Sequence, residues 1–362
     1  MAQRKNSTSF KEILDFHEQT LGKSDTEKHI IAESLSIDFN EYKRRIFGKE
    51  KEMEFLIFMK SVASVGDIKV IDEELSQISG DKTPDFEVVF IDNYKMMIEV
   101  KHTDKDEYKI SGGNLQKRID YATAHNMPLR FAISIKGFWG LFTSDFITSN
   151  NGKISISDYF GETRNSWLDR ELETCSYMFM QQLKIVSIYS NNTREGLGVR
   201  FEPYGELISY EFYCSNNLIF KVDKNNPSKM LHMFVLEAVQ DRLSNIHQDV
   251  IRNEDTTKII EYSNDSEHQN FAEYLFVMAS IRHMRYKNKN SRDNIFITAN
   301  ESKDNFLLVE HIRSVMSDLF DLGVEIICFK DGCGYKFDDY REKIWVKKEM
   351  KCENKYIKRY LF

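Results

Sequence analysis

Apolar positions in the first fifty residues recur three and four apart, the spacing of one face of a helix. "TSFKEILDFHEQTLG" (8–22) carries such a stripe and stops at Gly22. "SDTEKHIIAESLSIDFNEYKRRIFG" (24–48) predicts two helices parted by a break near Ser36–Asp38. "KEKEMEFLIFMKSVAS" (49–64) predicts a further, strongly apolar helix introduced by acids. The period then shortens towards two, as in strands. "DIKVIDEEL" (67–75) reads as one strand, and "TPDFEVVFIDNYKMMIEVKHTD" (83–104) as a hairpin turning at Asp92–Asn93–Tyr94, residue types suited to a tight turn. A helix over 111–126, with Leu115, Ile119 and Ala122 on one face, precedes Pro128 and the strands "LRFAISI" (129–135) and "FWGLFT" (138–143).

Beyond residue 165 the pattern changes. "NSWLDRELETCSYMFMQQL" (165–183) predicts a helix; "KIVSIYS", "LGVRFE", "LISYEFYC" and "LIFKVD" predict short antiparallel strands. "SKMLHMFVLEAVQDRL" (228–243) predicts a long helix, 247–267 a polar connection, and a further helix runs to about Tyr286. "NIFIT" (294–298), a helix over about 305–322 and "VEIICF" (324–329) together predict a βαβ unit. The expected architecture is α/β (α+β), a mixed sheet flanked by helices. Its parts are an N-terminal helical segment (1–47), a central core (48–164) and a C-terminal α/β domain (165–362) for recognition or dimerisation. The N-terminal helices read as a hairpin packed on the central core. The alternative is a helix-turn-helix whose second helix carries Lys43, Arg44 and Arg45.

Composition narrows the function classes. The net charge of −7 over 362 residues excludes a uniformly basic nucleic-acid wrapper but leaves room for a local basic groove. No apolar run approaches the roughly 18 residues a membrane span needs, and the first residues lack a secretory stretch, so a cytoplasmic protein is expected. Cys175, Cys214, Cys328, Cys333 and Cys352 are scattered without paired C-x-x-C units, which speaks for reduced thiols rather than zinc or iron–sulfur. No complete phosphate-binding P-loop is present, which argues against an ATP-driven motor. Two basic runs, 281–293 and 342–362, mix cations with aromatics and suit phosphate contact and base stacking.

The chemistry concentrates in the hairpin. Folding back at Asp92–Tyr94 sets Asp85 across from Glu99–Lys101 to within one residue. Glu99 and Lys101, two apart, share a face, while Val100 points into the core. Two carboxylates held so close repel unless a cation sits between them, and hard dications prefer oxygen ligands. Mg²⁺ or Mn²⁺ there would polarise a phosphoryl oxygen and acidify a bound water, with Lys101 to orient that water or neutralise phosphate charge. His102, next along the strand, faces the other side. Gly112–Gly113 amides at the following helix are a weaker phosphate candidate.

Pro84–Asp85 followed by Glu99–Val100–Lys101 resembles the signature of the PD-(D/E)xK nuclease superfamily, over about residues 48–145. The resemblance implies a restriction-endonuclease-like core. It also implies Asp85, Glu99 and the Val100 carbonyl as metal ligands, and Lys101 as the water-positioning residue. It implies an acid from the preceding helix, for which Glu54 is the choice and Glu50 the rival. A polar residue on the following helix is also implied; Gln116 and Lys117 are the candidates, with Tyr121 in support. The expected function is thus a Mg²⁺-dependent endonuclease acting on DNA, in restriction or anti-phage defence, with a homodimer suited to cutting both strands. An RNA-cleaving enzyme of the same fold and a non-catalytic nucleic-acid-binding regulator are the alternatives.

Overall fold

The structure is a computed structural model that describes residues 10–71, 83–136, 138–159, 166, 176–192, 196–201, 204–240, 246–263, 270–272, 295–300, 302, 306–330 and 333–336. It is a mixed α+β protein. Helices α1 (Phe10–Gln19), α2 (Asp25–Ser34) and α3 (Phe39–Ser61) come first. A Ser24–Glu27 capping box starts α2, and Asp38 caps α3 by accepting from the Asn40 and Glu41 amides. The break between them falls where Ser36 takes a positive φ of 59°. One expectation needs correcting: α3 continues through Gly48, so 39–48 and 49–61 are one helix of 23 residues. Phe55, Ile57 and Phe58 on its second half are fully or almost fully buried, and this burial outweighs a single interior glycine.

Among the described residues the next strands form a five-stranded sheet in the order β1-β2-β3-β5-β6. These are β1 (Val65–Val70), β2 (Phe86–Phe90), β3 (Lys95–Thr103), β5 (Leu129–Ile135) and β6 (Phe138–Thr143). Only β3 and β5 run parallel, joined across by α4 (Gly112–Ala124). A separate two-stranded ribbon, β4 (Glu107–Lys109) with β7 (Lys153–Ser155), follows β3 and the short helix α5 (Ser144–Ser149). The sheet buries both faces. Val88, Ile98 and Val100 pack with α3, while Met97, Phe131 and Ile133 pack with Leu115 and Ala122 of α4.

The C-terminal part is built around β9 (Leu183–Ser190), β11 (Gly205–Cys214) and β14 (Thr256–Ser263), with β10 (Arg200–Phe201), β12 (Asn217–Asp223) and β13 (Ile246–Arg252) outside them in one antiparallel sheet. A smaller antiparallel sheet has the order β15-β8-β16-β17, from Asn270–Ala272, Ser176–Phe179, Ile326–Lys330 and Cys333–Lys336. Helices α6 (Met230–Gln240), α7 (Ile295–Asn300) and α8 (Val309–Asp321) complete it.

Four expectations are overturned here. Residues 176–179, expected to be helical, are strand β8, paired with β16. The polar stretch from 247 is the β13–β14 hairpin, an exposed edge whose few apolar residues hide its strand character. Ile295–Thr298 of the expected strand belong to helix α7, and β16 pairs only antiparallel, so no βαβ unit forms among the described residues. Where a helix was expected to run to about Tyr286, Asn270–Ala272 are instead strand β15, paired with β8, and the rest of that stretch lies outside the described residues, as do both basic runs. No helix among the described residues is long and apolar enough to cross a membrane.

One apolar cluster runs from Phe55 and Phe58 of α3 through Val100 to Tyr210, Met233 and Leu319, so α3 is packed from both parts of the chain. Lys60 near its end donates to the Ala299 carbonyl at 2.6 Å. A separate small cluster, Ile13, Phe16, Ala32, Tyr42 and Ile46, ties α1 and α2 to the first half of α3.

Candidate active site

The β2–β3 turn is closed by Phe90 N–H donating to the Tyr94 carbonyl at 2.8 Å, with Asn93 at φ 67°. That geometry sets the register Phe86↔Ile98, and one more step brings Asp85 opposite Glu99. The Asp85 amide donates to the Ile98 carbonyl at 3.0 Å, and the Val100 amide donates to Asp85 Oδ2 at 2.6 Å. Asp85 is thus held at the strand's first step, its carboxylate standing in for a ladder acceptor. Both acids are buried, Asp85 at 5% exposure and Glu99 at 0%.

Two cations meet Glu99 Oε1: Lys101 Nζ at 2.5 Å and Arg118 Nε at 2.6 Å. Lys101 Nζ also lies 3.9 Å from Asp85 Oδ2 and donates to the Val100 carbonyl at 2.8 Å. Arg118 was not expected from the sequence. It sits on the buried face of α4, one turn after Leu115 and one before Ala122, and that spacing was the available signal. Gln116 and Lys117 are on the exposed side; Gln116 bonds Asp120 at 2.7 Å and neither reaches the carboxylates. Tyr121 stacks on His125 instead.

The helix acids are also arranged differently from expectation. Glu54 is paired with Lys51 at 2.8 Å and exerts its charge on His102, on the other side of β3. Burial pushes the Glu50 carboxyl up from its ordinary value, and Glu50 lines a cleft among the N-terminal helices. Glu52 is the α3 acid whose charge acts on Asp85. It is anchored by Lys49 at 2.5 Å. His102 faces away from Lys101, with its ring edge-on to Phe47 at 4.5 Å.

Electrostatically, burial first and the Glu99 charge second hold the Asp85 carboxyl well above its usual range, against the pull of Lys101. For Lys101, burial works to lower the ammonium's pKa, but Glu99 and then Asp85 outweigh it and the value is raised. Tyr108 on β4 feels the charges of Lys101, Glu99, Arg118 and Asp85, and burial raises its hydroxyl. It therefore borders the same site, although its place in the sequence gave no sign of that.

The oxygen set suits a hard dication. Glu99 Oε2 is buried with no hydrogen-bond donor among the described residues, and Asp85 stays raised despite Lys101. The unpartnered Glu99 Oε2, across the hairpin from Asp85, leaves carboxylate oxygens that Mg²⁺ or Mn²⁺ would take as ligands. No group of three or more His, Cys, Asp or Glu that could hold a metal occurs among the described residues. Two carboxylates with water and substrate oxygens are nonetheless a common Mg²⁺ arrangement.

No protein-family profile and no curated protein sequence matches the chain. Among solved structures it is similar to Hjc, a Holliday junction resolvase of the archaeal hyperthermophile Archaeoglobus fulgidus. The identity is 17%, the match covers 31% of this chain and 91% of that one, and the TM-score is 0.26.

Proposed function

We propose that this chain is a divalent-metal-dependent nuclease that hydrolyses nucleic-acid phosphodiesters, with DNA as the substrate. One observation carries the reading: Asp85 and Glu99 are buried in register across a hairpin, with Lys101 bridging them. A buried acid pair is costly to a fold that does not use it. Asp85 and Glu99, with the Val100 carbonyl, would hold the dication. When bound, that ion supplies a polarised phosphoryl oxygen and an acidified water.

The chain's own groups then divide the work. Lys101, with its raised pKa, remains an ammonium at neutral pH. It is therefore a donor that orients the attacking water and offsets charge on the phosphate, not the base that takes the water's proton. Arg118 holds Glu99 Oε1 from the α4 side and keeps that carboxylate aimed at the hairpin. Glu52 adds negative charge at the α3 side of Asp85, which strengthens the pull on a cation.

Incubation with plasmid DNA and with matched single-stranded DNA and RNA, in Mg²⁺, Mn²⁺, Ca²⁺ or EDTA, tests this. Cleavage of DNA that EDTA abolishes is expected. Asp85→Asn and Glu99→Gln are each expected to lower the rate by about a thousandfold, with unchanged circular dichroism. A fully active Glu99→Gln protein would end the assignment.

A further inference from the structure

Helices α2 and α3 meet in a turn of a defined kind. Ser36 N–H donates to the Glu33 carbonyl at 3.1 Å and Ile37 N–H to the Ala32 carbonyl at 2.9 Å, with Ser36 at φ 59°. This is the two-bond helix end in which a left-handed residue, most often glycine, turns the chain. Asp38 then caps α3 by accepting from the Asn40 and Glu41 amides. Of the residues of α2 only Ala32 is buried, at 0% exposure. A helix that meets its neighbour through one small side chain crosses it, whereas a helix lying along another buries a stripe. Ile13 and Phe16 of α1 pack with Ala32, Tyr42 and Ile46 behind that crossing. Two helices crossing over a tight turn, backed by a third, have helix-turn-helix geometry, and Ser36 makes the left-handed step for which the sequence has no glycine.

The second of these helices turns a polar face outward. Asn40, Lys43, Arg44 and Phe47, spaced three and four apart, are all exposed, away from the buried Tyr42 and Ile46. Lys28 of α2 lines one cleft with Lys43 and Arg44, so it belongs to the same surface. Of the acids in that cleft, Asp25 is paired with Lys43 at 3.0 Å and Glu50 is partly buried. Glu41 is paired with Arg45 at 3.6 Å. The Lys43–Asp25 pair is at least half exposed on both sides, of little net worth, and a phosphate can replace it. Neither Lys28 nor Arg44 forms a hydrogen bond or ion pair with another described residue.

An α-helix, about 10–12 Å across, fits the major groove of B-DNA, about 12 Å wide. Asparagine and arginine are the side chains that pair bidentately with adenine and guanine edges there, and lysines beside them meet phosphates. We propose that α3 enters the major groove of duplex DNA, with Asn40 and Arg44 on base edges and Lys28 and Lys43 on phosphates. Residues 39–48 continue unbroken into the half of α3 packed in the core, so the reading helix is rigidly mounted. The surface is separate from the carboxylates, which meet Arg118 on the α4 side of β3. The proposal therefore does not rest on the nuclease reading.

The test is fluorescence anisotropy of a labelled, mixed-sequence 24-bp DNA duplex with the full chain in EDTA, across a salt series. Duplex DNA is expected to bind at least tenfold more tightly than its single strand or the matched duplex RNA, whose major groove is too deep and narrow for side chains to read. Lys28→Ala with Lys43→Ala should weaken binding at least tenfold and flatten the slope of log K against log salt by about 1.8, two contacts at 0.9 each. Lys28→Arg with Lys43→Arg should bind as the wild type does, which separates lost contacts from a lost fold. Alanine at the exposed Lys69 and Lys221 is the control for charge. From a pool of randomised duplexes the wild type should enrich a preferred sequence, and Asn40→Ala with Arg44→Ala should not. Absence of binding in EDTA, unchanged affinity in the Lys28/Lys43 alanine variant, an equal loss in the control, or equal binding of single strand or RNA each overturns the proposal. So does a sequence preference that survives the Asn40 and Arg44 substitutions, or a wild type that enriches none. If the α3 variants lose duplex affinity but no metal supports cleavage, this surface stands and the nuclease reading falls. If the chain cleaves DNA while those variants bind unchanged, the nuclease stands and this surface falls.

Discussion

Glu99 and Arg118 make the sharpest case at the scale of single residues. A buried carboxylate shared by two cations is stable only as a set, because removing one partner leaves charge uncompensated in a poor solvent. Arg118→Met is therefore expected to cost about 3 kcal/mol in urea unfolding and to lower DNA cleavage more than tenfold. Gln116→Ala, on the same helix but facing solvent, is expected to stay within about 0.5 kcal/mol and to cleave normally. Equal effects of the two would remove Arg118 from the site. The sequence motif favours Gln116 only because it calls for a polar residue, whereas the helical period favours position 118. Leu115, Arg118 and Ala122 share a face, and Gln116 does not.

Elements carry the site through two local devices. The β4–β7 ribbon that presents Tyr108 is braced where Ile110 N–H donates to the Gly152 carbonyl at 2.9 Å. Gly152 has φ 76°, and a Cβ there would collide with the Ile110 carbonyl oxygen. Gly152→Ala is accordingly expected to cost more than about 1 kcal/mol, measured by thermal melting, with a loss of cleavage as Tyr108 shifts. The second device is the three-helix layer. Burial, then the Lys28 charge, lowers His17 below its ordinary value of 6.5, so the folded layer keeps it neutral. The unfolded chain then binds the extra proton, and stability is constant above about pH 6.5 and falls as pH drops below it. His17→Gln is expected to flatten that acid limb in pH-dependent unfolding; an unaltered limb would show that His17 does not cause it.

Across the whole molecule, α3 is the shared wall: its Glu52 charge acts on Asp85 of the hairpin while its apolar residues reach the C-terminal core. The single cluster from Phe55 to Leu319 implies that the sheet bearing β3 and the sheet bearing β9 lose stability together. Ile57→Ala, at the centre of that wall, is expected to cost about 3 kcal/mol. Hydrogen exchange should report the same loss for amides of β3 and β5 as for β9 and β11. Loss confined to one sheet would show two independently folding parts.

From its residues alone the chain determined the hairpin, its turn at Asp92–Tyr94, the pairing of Asp85 with Glu99 and the face shared with Lys101. All of these arise from a period of two and a tight turn, which act over a few residues. Tertiary structure alone decided that Glu52 rather than Glu54 acts on Asp85, that Tyr108 borders the carboxylates, and that β8 is a strand. It also decided that Arg118 of α4 reaches Glu99. Those outcomes depend on how a helix is rotated against a sheet and which distant segments cover it. Packing across tens or hundreds of residues sets them, and no local pattern encodes it.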